Sequence, residues 1–473
     1  MTAVAKSKLP VEKGEVISLE IGGLTHEGNG VGRCRGLAVF VPGAVPGDTV
    51  QAEITALKKN YALGRLLEVS KPSSSRREPE CARFGKCGGC RLQQVNYREQ
   101  LDIKTSLVRD SLSRIAGLGE VVVREMIGME NPWHYRNKAH FQVEERSGEF
   151  RLGFYEEGSH SLSSIFEGEG PTGCLLVDED INRAAAAIEA LLNRHGRGAP
   201  GGFFRHVMLR KGFYTGEIMA VLVTGSGDWP GQKGFAGDLT QRVGQLVSLA
   251  RNINDGPQGV VLGRENIILA GRGYITDRLG DLSLIISPAS FYQVNPVQTL
   301  VLYNKALEYA GLNHPGDLTV VDAYSGVGTI ALFMARHARR VVALEVVPQA
   351  VEDARSNAEN NGVQNIEWHT GEVEKLLPSL ARRGLRPDVA VLDPPRKGCG
   401  PEALEAVAHM DVPRIVYVSC DPGTLARDLG RLTALGYRVE EVQPVDMFPW
   451  SHHVETIILC NGRSLINKEF GGL

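Results

Sequence analysis

The chain has 473 residues, 42% of them hydrophobic and 23% charged, with a formal net charge of −3. This composition is ordinary for a globular protein of about three domains, and the charge does not by itself indicate a nucleic-acid partner. The start MTAVAKSKLP has no apolar signal core and no run of about 18 apolar residues follows, so we expect a cytoplasmic protein without a membrane span. In that reducing compartment the eight cysteines are not expected to form structural disulfides.

Residues 10–70 predict a small barrel of the oligonucleotide-binding type. Short alternating segments in this range are separated by Gly and Pro turns, which is the pattern of an all-β barrel. Residues 1–77 carry 11 Lys and Arg against 7 Asp and Glu, an excess that suits nucleic acid but also suits a solvated basic face. Lys58, Lys59 and Tyr61 combine charge with an aromatic ring, as in surfaces that bind single strands.

The middle part, residues 78–280, begins within a polar segment, KPSSSRREPE, that we interpret as a linker. It is predicted to be β-rich and holds three cysteines with the spacing C-x5-C-x2-C. A fourth ligand is needed, and a distant cysteine in the same part is the best candidate. Zinc sites favour two separated pairs, whereas three clustered cysteines plus a distant one are frequent in iron–sulfur proteins, so the residues leave both sites open. The cysteines are Cys81, Cys87, Cys90 and Cys174.

In residues 281–473, apolar strand candidates alternate with helical segments, which predicts a parallel sheet covered by helices on both faces. Gly326, Gly328 and Ala331 have the G-x-G-x-x-G/A spacing of a nucleotide-binding turn. The next strand ends at Glu345, where a carboxylate can accept hydrogen bonds from ribose hydroxyls. NAD and S-adenosylmethionine both use this arrangement, so the turn does not choose between them.

The sequence DPPRKG at the end of a later strand favours S-adenosylmethionine. A rigid Asp-Pro-Pro at that position resembles the active-site loop of class I S-adenosylmethionine-dependent methyltransferases. Five motifs in chain order then resemble the RNA uracil-5-methyltransferase family, most closely its 23S ribosomal RNA enzymes with an N-terminal TRAM domain and an iron–sulfur cluster. The motifs are SPASFYQVNPVQT, DAYSGVGT, DPPRKG, YVSCDPGTLARDL and DMFPWSHHVE.

The resemblance implies a multidomain α/β architecture. It comprises an OB-fold-like TRAM barrel, a β-rich iron–sulfur middle domain and a C-terminal Rossmann-like class I methyltransferase domain. A helix near residues 91–120 is expected to pack on the last of these domains. The resemblance further implies a [4Fe–4S] cluster on the four cysteines and a pocket for S-adenosylmethionine. The residues expected to line that pocket are Gln293, Tyr324, Glu345 and Asp393.

The family's nucleophile falls on Cys420 and its base on Glu455. Carbon 5 of uracil is a poor nucleophile until a thiolate adds to carbon 6, and a base must later remove the proton on carbon 5. We expect the helix that starts after Asp421 to lower the thiol pKa, although the charge of Asp421 opposes this. Adjacent His452 and His453 are expected to point apart, which argues against a shared metal.

Several alternatives stay open at this stage. Gln293 could merely cap the helix that opens at Pro296. The RNA substrate, a uridine in a single strand or loop, is expected in 23S ribosomal RNA, with transfer RNA as the alternative. A non-catalytic iron–sulfur RNA-binding protein is a third possibility, which the joint presence of Cys420 and Glu455 opposes. No feature indicates a membrane or a protein partner.

Overall fold

The N-terminal strands close into a barrel of five strands. The computed structural model describes residues 9–167, 172–257 and 260–465. Over the first six residues of the first strand every second side chain is buried, as expected for a strand with one face in a core. The strand order is β1-β2-β3-β5-β4, with β4 closing on β1, and it confirms the predicted barrel. The strands are β1 (Val16–Leu24), β2 (Gly30–Cys34), β3 (Leu37–Val41), β4 (Thr49–Leu57) and β5 (Tyr61–Lys71).

The segment after the barrel is not the free linker that its composition suggests. Asp48 is completely buried and accepts a hydrogen bond from the Arg76 guanidinium (2.6 Å). It also accepts one from the Ser73 amide (2.8 Å). A buried carboxylate is costly unless it is paired and hydrogen-bonded, so the barrel holds this segment in place.

The next helix packs on the C-terminal part of the chain. It consists of α1 (Tyr97–Ser111) followed by one π-helical turn (Leu112–Ala116). Val108 and Leu112 share a hydrophobic core with residues of the C-terminal sheet. The helix therefore belongs structurally with the C-terminal unit, although it lies early in the sequence.

The middle part is built on a sheet of seven strands, with the order β12-β11-β10-β9-β6-β7-β8. Its pairs are antiparallel except for β10 and β11, and two helices pack against it. The elements are β6 (Lys138–Arg146), β7 (Glu149–Tyr155), β8 (Leu162–Ser164), α2 (Glu179–His195), β9 (Phe204–Lys211), β10 (Ile218–Thr224), α3 (Gln232–Arg242), β11 (Leu246–Ile253) and β12 (Glu265–Gly271).

A hairpin and a helix connect this sheet to a second sheet of seven strands. Residues 466–473, at the end of the predicted third domain, and residues 168–171 and 258–259 of the second lie outside the described part of the chain. The connecting elements are β13 (Ile275–Leu279), β14 (Leu282–Ile286) and α4 (Pro296–Ala310). The sheet and its helices are β15 (Thr319–Ala323), α5 (Thr329–Ala335), β16 (Arg340–Glu345), α6 (Pro348–Asn360), β17 (Ile366–Thr370), α7 (Val373–Arg382), β18 (Val389–Leu392), α8 (Pro401–His409), β19 (Arg414–Ser419), α9 (Pro422–Ala434), β20 (Arg438–Val445) and β21 (Glu455–Asn461).

The order of this sheet is β17-β16-β15-β18-β19-β21-β20. The predicted parallel arrangement is correct for the first five strands and wrong for β20 and β21, which pair antiparallel. The physical reason is the connection between them: residues 446–454 contain no helix, and a parallel pairing needs a long crossover.

Helices cover both faces of the sheet. The buried side chains of α4 and α5 share one hydrophobic core, and those of α7, α8 and α9 share another. Consecutive strand residues such as Val320 and Val321 contribute to opposite cores, which explains the near-continuous apolar runs. Within the described ranges, no helix combines the length and hydrophobicity needed to span a bilayer.

Candidate active site

The six residues predicted for catalysis and cofactor binding line one cavity of about 820 Å³. It lies outside the carboxyl ends of the parallel strands, where open α/β sheets bind their ligands. These six residues are Gln293, Tyr324, Glu345, Asp393, Cys420 and Glu455.

Glu345, the last residue of β16, organises the glycine turn. One of its carboxylate oxygens accepts a hydrogen bond from the Gly326 amide (2.9 Å), and the other accepts one from the Val347 amide (2.8 Å). Each carboxylate oxygen can accept more than one hydrogen bond, so Glu345 retains capacity for the hydroxyl groups of a ligand.

The glycines of the turn serve different purposes. Gly326 has a φ of +55°, and a Cβ built on it would meet no atom of the described residues within 4 Å, so the cavity stays open at this position. Gly328 has a φ of +78°, and a Cβ there would lie 2.9 Å from the Cβ of Ala354 and against the Trp368 ring. The second glycine is therefore required by helix packing rather than by a ligand.

Tyr324 precedes this turn in a left-handed conformation (φ +65°). Its hydroxyl donates a hydrogen bond to Glu374 Oε1 (2.9 Å). This contact fixes the ring at the wall of the cavity.

Gln293 does not cap α4. The cap is Asn295, whose side chain accepts a hydrogen bond from the Gln298 amide (3.2 Å). The backbone carbonyl of Gln293 accepts a hydrogen bond from the Asn137 side chain (3.2 Å). With Phe291, whose ring is 67% exposed at the same cavity, Gln293 contributes to the wall from outside the main sheet.

A buried aspartate clamps the Asp-Pro-Pro loop to the helix that follows Cys420. Asp428 of α9 is completely buried and accepts hydrogen bonds from the Cys399 amide (2.8 Å) and the Tyr417 hydroxyl (2.7 Å). Arg427 pairs with the other oxygen of Asp428 (2.8 Å) and donates to the Lys397 carbonyl (2.7 Å). The loop that carries Asp393 is thus held against the helix.

Strand register brings Cys420 and Glu455 together. β19 and β21 are antiparallel and pair Ser419 with Thr456, so the neighbouring residues Cys420 and Glu455 lie side by side at the strand ends. Cys420 is half-buried, whereas Glu455 is buried. The Oε2 atom of Glu455 has no hydrogen-bond partner within the described part of the chain.

The ionisation of both groups is shifted towards the neutral form. Burial raises the pKa of Glu455 to about 8, and the charge of Asp393 adds to this shift. Burial also raises the pKa of the Cys420 thiol to about 11, with further contributions from Glu455 and Asp393 and an opposing one from Arg396. The expectation that the helix start lowers the thiol pKa is therefore wrong, because desolvation and two nearby carboxylates outweigh it.

Arg136 and Phe448 also line the cavity but were not predicted for it. Arg136 comes from the segment before β6, and its guanidinium lies 6.0 Å from the centre of the Phe448 ring. Arg136 lines this cavity because the middle part of the chain packs against the C-terminal part. No local sequence pattern indicates that packing.

The four predicted cluster cysteines line a second cavity, of about 350 Å³. Arg136 and Lys138 line it as well, and Arg136 is shared with the first cavity. Burial and the charge of Arg210 lower the pKa of Lys138 to about 7. Over the described ranges, no group of three or more His, Cys, Asp or Glu side chains converges closely enough to hold a metal ion.

Replacing Gly398 by Ala should disturb the clamp. Gly398 has a φ of +76°, and an added methyl group would overlap the Asp428 carboxylate and the Arg427 guanidinium. We expect a loss of about 1–2 kcal/mol from backbone strain and about 1–3 kcal/mol more from overpacking, with weaker binding of S-adenosylmethionine. Urea unfolding and calorimetric titration measure the two effects.

Gly384→Ala is the matched control for this variant. Gly384 has a φ of +88°, and among the described residues no atom lies within 4 Å of a Cβ built there, so this variant reports backbone strain alone. Equal losses of stability in the two variants, with cofactor binding unchanged, would contradict the clamp.

Two protein families match separate parts of the chain. Residues 268–463 match the family described as tRNA (Uracil-5-)-methyltransferase. Residues 10–67, which include the barrel strands almost entirely, match the TRAM domain family.

Relatives that are similar over nearly their whole length are RNA methyltransferases. An RNA methyltransferase of Oceanobacillus iheyensis is 45% identical over 459 residues, covering 96% of this chain and 98% of the relative. One from Clostridium tetani is 43% identical over 459 residues, with the same coverage.

A solved structure is similar over nearly the whole chain. It is the Pyrococcus abyssi tRNA (uracil-54, C5)-methyltransferase in complex with S-adenosyl-L-homocysteine, with a TM-score of 0.72 and 26% identity. The similarity covers 94% of this chain and 100% of that one. The chain therefore belongs to the S-adenosylmethionine-dependent RNA uracil-5-methyltransferase family, in the form that carries an N-terminal TRAM domain.

Proposed function

We propose that this enzyme methylates carbon 5 of a uridine through a covalent bond between Cys420 and carbon 6 of the ring. The observation that carries this proposal is the pairing of Cys420 with Glu455 at the rim of the cavity that also contains Glu345 and Asp393. A nucleophile and a base beside a nucleotide-type pocket are what the reaction requires.

Each residue has a defined step. The Cys420 thiolate forms a bond to carbon 6, and the displaced electron pair moves into the ring, so that carbon 5 becomes an enolate carbon. S-adenosylmethionine, when bound, would supply the methyl group that carbon 5 takes up, and its sulfonium sulfur would keep the bonding electron pair and leave as the thioether of S-adenosylhomocysteine. Glu455 then accepts the proton from carbon 5. The electron pair of that carbon–hydrogen bond re-forms the double bond between carbons 5 and 6, and the carbon–sulfur bond breaks and releases the thiolate.

The environment of Glu455 suits this role. With a pKa of about 8, Glu455 is mostly protonated at neutral pH and must ionise before it can accept the proton from carbon 5. A pKa this close to neutral pH keeps both protonation states accessible, as a general base requires. Its unpartnered Oε2 atom is free to face the ring that Cys420 holds.

Covalent trapping tests the nucleophile. RNA that contains 5-fluorouridine has no removable proton on carbon 5, so incubation with the enzyme and S-adenosylmethionine should accumulate a protein–RNA adduct, visible by denaturing electrophoresis. Cys420→Ala should abolish the adduct, whereas Cys34→Ala in the barrel should retain it. An adduct that survives Cys420→Ala, or none from the unmodified enzyme, removes the assignment.

For the four cysteines we propose a [4Fe–4S] cluster held by Cys81, Cys87, Cys90 and Cys174. Their placement around one cavity supports this, since cubane clusters are held by four thiolates spread around their surface. A single tetrahedral zinc ion would need the four sulfurs to converge at about 2.3 Å from one point.

The charge around this cavity also supports the proposal. Lys138 lines it, and no carboxylate of the described residues forms an ion pair with its ammonium group. Four thiolates bound to iron carry net negative charge, and a buried cation beside them would be compensated.

Metal analysis of anaerobically purified protein tests this proposal. We expect about four iron and four sulfide per chain, and a loss of both in Cys87→Ser but not in Cys34→Ser. Stoichiometric zinc, or iron content that is unaffected by Cys87→Ser, would overturn it.

We propose 23S ribosomal RNA as the substrate. The support is the resemblance of the barrel, the cysteine cluster and the catalytic motifs to the 23S ribosomal RNA enzymes. Transfer RNA is the second candidate, and it is favoured by the Pyrococcus abyssi transfer-RNA enzyme, which matches 94% of this chain.

Mapping 5-methyluridine in a strain that lacks this gene distinguishes the two substrates. The modification should disappear from 23S ribosomal RNA and persist in transfer RNA. The native gene should restore it, whereas the gene with Cys420→Ala should not. Loss confined to transfer RNA would contradict the ribosomal assignment.

A further inference from the structure

A smaller cavity, of about 230 Å³, adjoins the catalytic one and shares Arg396, Cys420 and His453 with it. It is formed where the turn between β1 and β2 of the barrel meets the loop that leads to Glu455. Its lining includes His26 and Glu27 of the turn together with Arg396, Cys420, His452 and His453. Lys58 and Lys59, expected from sequence to be the RNA-binding part of the barrel, line neither this cavity nor the catalytic one.

The barrel turn is held rigidly at this place. Thr25 and Gly28 close it through hydrogen bonds from the Thr25 amide to the Asn29 carbonyl (2.8 Å) and from the Gly28 amide to the Thr25 carbonyl (2.9 Å). Gly28 has a φ of +82°, and a Cβ there would lie 3.4 Å from the Cβ of His452 and 3.3 Å from that of Arg91. Through this turn the barrel therefore contacts the catalytic loop, residues 446–454, which leads to Glu455.

The groups around the cavity suit a nucleoside better than a phosphate. Burial lowers the pKa of both His452 and His453 to about 4, so both imidazoles are neutral at neutral pH. Contrary to the expectation that they point apart, their rings lie 4.2 Å from each other. Neutral imidazoles offer flat surfaces and both donors and acceptors, as a base requires. The lining also has two acids, Glu27 and Asp421, against one cation, Arg396, a balance that disfavours a phosphate.

One atom in the cavity wall lacks a partner. The buried Nδ1 of His452 makes no hydrogen bond within the described part of the chain. Next to it, His26 and Glu27 present side chains that are 75% and 65% exposed. A polar ligand in the cavity would contact these two side chains beside an imidazole that still has an unpaired ring nitrogen within the described part of the chain.

We propose that this cavity binds the nucleoside adjacent to the target uridine in the RNA strand, with His26 and Glu27 of the barrel turn contacting it. The inference rests on the proposed function, since Cys420 lines both cavities and a ring bonded to it would have its neighbour within reach of the smaller one. A cavity below the roughly 300–1,000 Å³ of drug-sized sites accommodates a single nucleoside. The neighbour must be unstacked from its strand, as in loops.

The proposal is tested by combining the removal of a base from the RNA with substitutions in the barrel turn, and asking whether the two effects on binding are coupled. Fluorescence anisotropy would measure the affinity of the full-length protein for a short single-stranded RNA with one 5-fluorouridine, intact or abasic at the preceding or following position. Removal of one of these two bases should weaken binding about tenfold. In the double variant His26→Ala with Glu27→Gln, the same removal should have no further effect.

Glu20→Gln is the matched control, because Glu20 is an exposed acid on β1 that lines neither cavity, and this variant should keep the tenfold penalty. The proposal is overturned if neither abasic RNA binds more weakly, if the double variant keeps the full penalty, or if no RNA binds. S-adenosylmethionine is added to the same samples after the affinity measurement, and adduct formation then separates the two proposals. An adduct without coupling removes only this cavity, and coupling without an adduct removes only the nucleophile.

Discussion

A buried ion pair holds the catalytic loop in place. The side chains of Lys104 and Asp446 are 2.7 Å apart and both are 0% exposed. Tyr97 donates to the second oxygen of Asp446 (2.8 Å), and Lys104 also donates to the Phe448 carbonyl (3.1 Å). Two charges removed from water are tolerated only when such additional bonds satisfy them. The pair therefore fastens the start of the loop that ends at Glu455 to a helix from a distant part of the sequence.

The pKa values in the cavity follow from the burial of several acidic groups close to one another. Asp393, Glu455 and Cys420 have pKa values raised to about 7, 8 and 11, with burial as the largest cause in each case. Arg396 is the cation that opposes the last two shifts. A positive charge brought into the same cavity, such as a sulfonium group, favours the ionised form of all three groups. Cofactor binding and nucleophile activation are thus expected to support each other.

Much of the architecture could be predicted from local sequence. The alternation of apolar strands and helices gave the α/β domain, because strands buried on both faces need nearly continuous hydrophobic residues. Asn295-Pro296 and Asp421-Pro422 correctly marked the starts of α4 and α9, where the Asn and Asp side chains cap the helix and Pro takes the first position. These signals depend on a few neighbouring residues, so they can be recognised without knowledge of the rest of the fold.

The short-range pattern of residues predicted the elements and the glycine turn, and the resemblance of five motifs to a known family singled out Cys420 and Glu455. Only the tertiary structure decided the antiparallel insertion of β21, which makes those two residues neighbours, and the contact of the barrel turn with the catalytic loop. It also decided that the thiol pKa rises, because desolvation depends on groups far apart in sequence. Strand order and burial are properties of the whole packed chain, and no local motif encodes them.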